Sequence, residues 1–326
     1  VATMLLVILV AGAGIAGARL LAADAAIVVA QDGSGNYTTI AEAVAAAEDG
    51  DTVLVRPGTY VEADVVGADI ILSGDGPVED IIVEAPEDGP VAPTGSYPPT
   101  AYALLLQDSS ATVSGLTFRG ESSRVHAKGG SPAFEGLVLE DVGKPYGSGS
   151  KGGLNVSGGS EATVRDSVFE GGSGIFVVDA STPLITGNTL RDGAGIGEDF
   201  GDGTIIRGNQ ISGAPYTAIA IYTPVRAVLI EGNSLSDSPH GIWMEPSSGE
   251  GEQPLIRSNS ITGCMTGILV SHGAAPTIAE NTLTASTATG IQLSNGAGAA
   301  PVSYTHLRAH ETLGSISYAV FCLIMG

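Results

Sequence analysis

Three acidic residues recur at one place in a repeating pattern. Asp179, Asp199 and Glu245 each fall three or four residues past the isoleucine of a Gly-Ile pair. Tyr222 holds the same place after an Ala-Ile pair, and His272 and Asn295 hold it in later repeats. If the repeats stack, these six side chains form a column. Carboxylates about 5 Å apart suit retaining cleavage of a glycosidic bond, and wider pairs suit inversion. Two carboxylates on adjacent layers repel, which raises one pKa toward the value a general acid needs. Asp179, Asp199 and Glu245 are therefore the candidate catalytic residues, with Tyr222 and His272 as candidate sugar contacts. The same acids could instead hold Ca²⁺, or do no more than solvate the edge where strands meet loops.

A second group is basic. The three lysines, Lys128, Lys144 and Lys151, fall within residues 119–151 together with Arg119, Arg124 and His126. Two of the long connections, 120–131 and 141–160, contain these lysines, and a third long connection spans 85–102. Arg124, Lys128, Lys144 and Lys151 are candidate contacts for an anionic glycan, with ordinary solvated turns as the alternative. The chain as a whole carries a net charge of −22 and a pI near 4.3. That excludes a nucleic-acid partner, which needs a basic face to displace counterions. Two cysteines in 326 residues imply no disulfide framework.

The elements that must position these residues follow from a periodic pattern. In register, the segments read TVSGLTF, AFEGLVL, TVRDSVF, LITGNTL, IIRGNQI, LIEGNSL, LIRSNSI and TIAENTL. Their central residues are Leu116, Leu137, Ser167, Asn188, Asn209, Asn233, Asn259 and Asn281, in steps of 21, 30, 21, 21, 24, 26 and 22 residues. An aliphatic or Phe precedes each centre by three and follows it by two. A Gly-Ile or Ala-Ile strand comes next, from Gly174-Ile175 to Gly290-Ile291. About 22 residues with three short strands make one rung of a parallel β-helix. One rung cannot bury its apolar face alone, so like residues must stack from rung to rung at about 4.8 Å. Five consecutive asparagines at one bend predict a ladder of side-chain amides, with Asn also supplying the left-handed backbone that a sharp bend requires.

Ahead of the repeat stands IVVAQDGSGNYTTIAEAVAAAEDGDTVLVRPGTYVE, residues 27–62. Thr39 and Glu42 read as a capping box for a short helix with Ile40 and Val44 on one side. This segment resembles the N-terminal cap and first rung of the pectin-lyase-like superfamily, and is most similar to pectinesterases. The rungs resemble right-handed β-helix repeat proteins, among them carbohydrate-active enzymes and nitrous-oxide-reductase copper-site accessory proteins. The resemblance implies an all-β, right-handed parallel β-helix with a short N-terminal capping helix over residues 26–301. It does not imply esterase activity. The aspartate motifs of pectinesterases are only echoed by Gln107-Asp108 and by Glu198-Asp199-Phe200-Gly201, and their arginine motif has no match. Ser238-Pro239-His240-Gly241 echoes an alginate-epimerase motif without its final aspartate.

Both ends need separate treatment. Residues 1–18 carry no charge, and residues 1–25 read as a signal peptide or membrane anchor. Gly12, Gly14 and Gly17, with Asp32 further on, imitate a dinucleotide fingerprint, but no alternating α/β pattern follows. His306 and His310 have the spacing of two zinc ligands on a helix, with Glu311 beside them. However, Val302 to Thr312 resembles the in-frame translation of a transposase adapter used in sequencing libraries, and Ile316 to Leu323 resembles the adjoining primer. That resemblance implies that residues 302–326 are not native, and it removes the zinc reading. No metal or other cofactor is then expected beyond the Ca²⁺ alternative. The functional expectation is a glycan-recognising β-helix domain outside the cytoplasm or at the cell surface, in its simplest form non-catalytic. The alternatives are a polysaccharide-processing enzyme (lyase, hydrolase, epimerase or esterase) and the structural stalk of a longer membrane-anchored protein. Contact with a membrane is expected only through residues 1–18.

Overall fold

The structure is a computed structural model. It describes residues 26–62, 64–94, 97–142, 153–199, 201, 203–222, 227–245, 253–298 and 300–307. The signal or anchor reading of residues 1–25, and Lys144, Lys151 and His310, lie outside the described residues.

The described chain winds as a parallel β-solenoid behind one short helix, α1 (Ile40–Ala46). Ten strands, one per turn, stack in chain order into one parallel sheet. They are β1 (Asp64–Val66), β2 (Leu104–Gln107), β3 (Val125–Lys128), β4 (Leu154–Ser157), β5 (Ile175–Val178), β6 (Ile196–Asp199), β7 (Thr217–Tyr222), β8 (His240–Met244), β9 (Thr266–Val270) and β10 (Thr289–Leu293). The other two short strands of each rung join a second sheet of 21 strands. The expectation of three strands per rung is met.

Like residues stack inward. Ile175, Ile196, Ile219, Ile242, Ile268 and Ile291 pair in one file along the ten-stranded sheet. Ile185, Ile206, Ile230, Ile256 and Ile278 form another on the opposite wall. All of these but Ile291 are fully or almost fully buried. Each such side chain contributes roughly 1.5–3 kcal/mol of hydrophobic stabilisation. The Gly of the Gly-Ile pair has a steric cause. A Cβ on Gly241 would lie 2.6 Å from the Gly267 carbonyl oxygen, and one on Gly267 would lie 2.6 Å from that of Gly290.

The asparagine ladder forms as expected. Asn188 Nδ2 donates to Asn209 Oδ1 at 3.0 Å, Asn209 to Asn233 at 3.0 Å, Asn233 to Asn259 at 2.9 Å and Asn259 to Asn281 at 2.9 Å. Each of these Nδ2 groups also donates to a backbone carbonyl of the preceding rung, as Asn233 does to Ile206 at 2.9 Å. The backbone reading needs correction. The left-handed residue is the one before each centre: Asp166, Gly187, Gly208, Gly232, Ser258 and Glu280, with φ between 52° and 68°. The bend therefore takes its conformation from one residue and its hydrogen bonds from the next.

The capping box is half built. Thr39 accepts from Glu42 N at 3.2 Å. The first-turn N–H groups of Ile40 and Ala41 instead donate to the two carboxylate oxygens of Glu62, at 3.0 and 2.9 Å. Beside Glu62, Asp64 pairs with Leu104 on the inward face and is 3% exposed. Burial, and then the neighbouring Glu62, push the Asp64 carboxyl up to about 8.

At the far end, a strand at Ala300–Leu307 pairs in parallel with Thr277–Thr284, with register shifts near Ala279. His306 thus lies on extended backbone, not on a helix, and the two-histidine spacing has no helical face there.

Two outcomes follow for stability. Asn233→Ala leaves Asn209 N, Asn209 Nδ2 and the Ile206 carbonyl without their partner, so urea unfolding should show a loss of about 2–4 kcal/mol. The exposed neighbour Ser234→Ala should change it by less than about 0.5 kcal/mol. For Asp64, the folded chain holds a proton that the unfolded chain, with a carboxyl near 3.8, has released. This group therefore lowers stability progressively as pH rises from about 4 to about 8, with no further change above that. Unfolding curves of Asp64→Asn should be flatter across this window and should show a gain over the parent at pH near 8.

Candidate functional site: the outward face of the ten-stranded sheet

Side chains alternate along a strand, so inward isoleucines force their neighbours outward. On β8, Ile242 and Met244 are buried inward, which places Trp243 and Glu245 on the outer face. Two outward files result. One runs His126, Asn155, Phe176, Gly197, Ala220, Trp243, Leu269. The other contains Gln107, Lys128 and Ser157 on β2 to β4, then Val178, Asp199 and Tyr222 on β5 to β7. Glu245 continues this second file, its N–H donating to Ile221 O at 2.9 Å.

The expected column of six therefore splits in two. Asp199, Tyr222 and Glu245 occupy one file. Asp179, His272 and Asn295 lie one residue further along, in left-handed turns with φ of 58°, 53° and 51°. Asp179 is not stacked on Asp199, whose register partner on β5 is Val178. The two aspartates are therefore offset by one position rather than in register across the two strands. The second half of the split still meets the first: His272 Nδ1 lies 3.6 Å from Glu245 Oε1, and Asn295 Nδ2 lies 3.2 Å from His272 Nε2. The Glu198-Asp199 motif also divides. Asp199 faces out, while Glu198 faces the core and accepts from Thr204 Oγ1 at 2.9 Å.

Aromatic rings gather at the β7–β8 end. Trp243 meets Tyr222 edge-on, with centroids 5.7 Å apart and planes at 73°. His240 also lies beside Trp243, with ring centroids 5.9 Å apart. Trp243 Nε1 donates to Ser271 Oγ at 3.1 Å. Burial lowers the pKa of His240, so it is neutral at physiological pH. Phe176, Val178 and Ala220 extend this patch with Tyr222 packed against them.

The opposite end of the face is polar and covered. A hairpin of Val91–Thr94 and Tyr97–Ala101 brings Thr100 Oγ1 to 3.1 Å from His126 Nε2. The Tyr102 ring lies 6.1 Å from the His126 ring. Burial, then the charge of Arg124, lower His126 to about 4. Arg124, a candidate contact for an anionic glycan, is 7% exposed immediately before β3, and its burial lowers its pKa. Lys128 is half-buried in the Gln107–Ser157 file. Among the described residues, no group of three His, Cys, Asp or Glu is placed to hold a metal ion. None of the described helices is long and apolar enough to cross a membrane.

Trp243 and His240 were missed as site residues. The signal was present: in His-Gly-Ile-Trp-Met the inward Ile fixes the outward Trp by alternation alone.

This fold defines a right-handed parallel β-helix, and the comparisons agree. The family described as "Right handed beta helix region" matches residues 152–304. No curated protein matches the sequence. Among solved structures, the chain is similar to an alginate lyase from Paenibacillus sp. str. FPU-7, with 15% identity and a TM-score of 0.62, over 80% of this chain and 96% of that one. It is also similar to a lacto-N-biosidase from Eubacterium ramulus, with 12% identity and a TM-score of 0.57, over 83% of this chain and 64% of that one. The pectin methylesterase PemA from Erwinia chrysanthemi gives 12% identity and a TM-score of 0.47, over 87% and 93%. At these identities the likeness is one of fold.

Proposed function

We propose that this domain recognises polysaccharide along the outward face of the ten-stranded sheet, as a binding module outside the cytoplasm or at the cell surface. The observation that carries this reading is the juxtaposition of Tyr222 and Trp243 with Asp199 and Glu245 on one rigid face. An indole or phenol ring covers the apolar C–H face of a pyranose, and nearby carboxylates accept from its hydroxyls. A parallel sheet repeats such contacts at about 4.8 Å per strand, close to the length of one sugar unit. The likeness of fold to an alginate lyase and a lacto-N-biosidase supports a carbohydrate ligand.

The enzyme reading has one specific observation in its favour. Asp199 and Glu245 stand two strands apart in one file, so their backbones are separated by about 9–10 Å. That spacing is near the range of about 6.5–9.5 Å between the carboxylates of inverting glycosidases. Asp179 is displaced by one position from this file, and its role in either reading is that of an edge residue.

Calorimetric titration with polysaccharides separates the readings. Saturable binding without turnover is expected, and Trp243→Ala should weaken it at least about tenfold at a temperature where the variant still unfolds cooperatively from a folded baseline. Binding that survives Trp243→Ala at full strength would remove the aromatic face from the account. Turnover by the parent that disappears in Asp199→Asn would replace the binding reading with the enzymatic one.

A further inference from the structure

Resting on the polysaccharide reading, we infer that the sugar unit seated at Tyr222 and Trp243 is the last of its chain: the site recognises the end of a glycan and not an internal stretch. Burial changes along the outer face of the ten-stranded sheet, from covered strands to open ones. The two rings lie at the boundary.

The covered strands are β4, β5 and β6. On them, Asn155, Phe176 and Gly197 occupy one outward file, and Ser157, Val178 and Asp199 occupy the other. All of these residues are buried. Neighbouring strands shield the flanks of an outward side chain but leave its tip open to whatever lies above the sheet. Phe176 is nevertheless 6% exposed and Val178 1% exposed. Polypeptide therefore lies over this stretch of the face. Phe176, Val178 and Ala220 form a cluster of their own, separate from the isoleucine core, and Tyr222 packs against it. On β3, His126 is buried likewise and is met by Thr100 at 3.1 Å.

The open strands are β8, β9 and β10. The first file continues there through Trp243, Leu269 and Gln292. Trp243 and Leu269 are half-buried, and Gln292 is exposed. His272 and Asn295 stand in exposed left-handed turns after β9 and β10. Exposure thus rises from the rings toward β10 and falls from the rings toward β4.

A sugar stacks only on ring surface that is open to it. A unit on Tyr222 and Trp243 has the covered cluster on its β6 side and open side chains on its β9 side. Along the solenoid axis a second unit fits over Leu269 and a third over Gln292, at about 4.8 Å per strand. The place for a unit on the opposite side, over Phe176 and Val178, is filled by the protein itself. The unit on the rings is therefore joined to a neighbour on one side only, and such a unit is a chain end. Exclusion by filled volume discriminates strongly, because an internal unit must displace packed side chains instead of merely forgoing a contact.

The test counts protein molecules per glycan chain. Linear pullulan, glucomannan, debranched xylan, polygalacturonate and alginate are each titrated calorimetrically against the whole chain, as a short fraction of about 6 units and a long fraction of about 60 units. A glycan that binds should take one protein per glycan chain at both lengths, with an affinity per chain that changes by less than about twofold. Several proteins on each long chain would mean that internal stretches are bound, which overturns the inference and leaves the polysaccharide reading intact. Two variants check the direction on the short fraction. Leu269→Ala, on the open side, should weaken binding about threefold or more. Gln107→Ala, exposed on β2 beyond the covered strands, should leave it within about 1.5-fold. Equal or reversed effects overturn the inference as well. The stoichiometry of the parent decides the question even where Leu269→Ala fails to fold. Absence of binding to every probe overturns the polysaccharide reading, and this inference with it.

Discussion

Constant register between rungs is the constraint on which the rest of this molecule depends. Each strand of the ten-stranded sheet pairs with the same positions of the next, so one residue type can recur in one direction for the length of the solenoid. The asparagine ladder enforces that register at the bend. Each amide spends its donors on the next asparagine and on a carbonyl one rung back, which leaves no slack for a slip of one residue. A slip would also send every inward isoleucine to solvent, so hydrophobic burial and the amide ladder select the same alignment.

The outward face is a by-product of that alignment. Once Ile242 and Met244 are committed to the core, Trp243 and Glu245 can only face out. Rungs of near-equal length then bring Tyr222, Trp243 and Glu245 together from three places on two strands, with no loop needed to aim them. The face is asymmetric along the axis. Its early strands carry buried His126, met by Thr100 of a hairpin, and buried Arg124, and its later strands carry the half-buried Tyr222, Trp243 and Glu245 beside a buried Asp199.

Much of this was legible in the sequence, because a solenoid converts spatial neighbours into a fixed sequence interval. The 21- to 30-residue steps revealed the rung, and the recurrent Asn revealed the ladder. The acid column was misjudged by one residue. Asp199, Tyr222 and Glu245 lie three residues past their isoleucine, whereas Asp179, His272 and Asn295 lie four past theirs. On a strand that single step separates a face residue from the left-handed turn that ends it. The same alternation rule divides Glu198 from Asp199. The contact of Thr100 with His126 was not legible, because the hairpin that carries Thr100 comes from an earlier long connection whose return onto the sheet follows no repeat. The left-handed residue was assigned to the asparagine, although the Gly, Asp and Ser preceding it carry the more direct signal.

The chain contains one tryptophan, Trp243, and it lies at the centre of the proposed contact. Its intrinsic fluorescence is therefore a direct report on the account's central claim. In a titration with an oligosaccharide that binds, the emission should shift or quench saturably, with the same midpoint as the heat of binding. Heat released on binding with no change in Trp243 emission would place the ligand elsewhere and contradict the account.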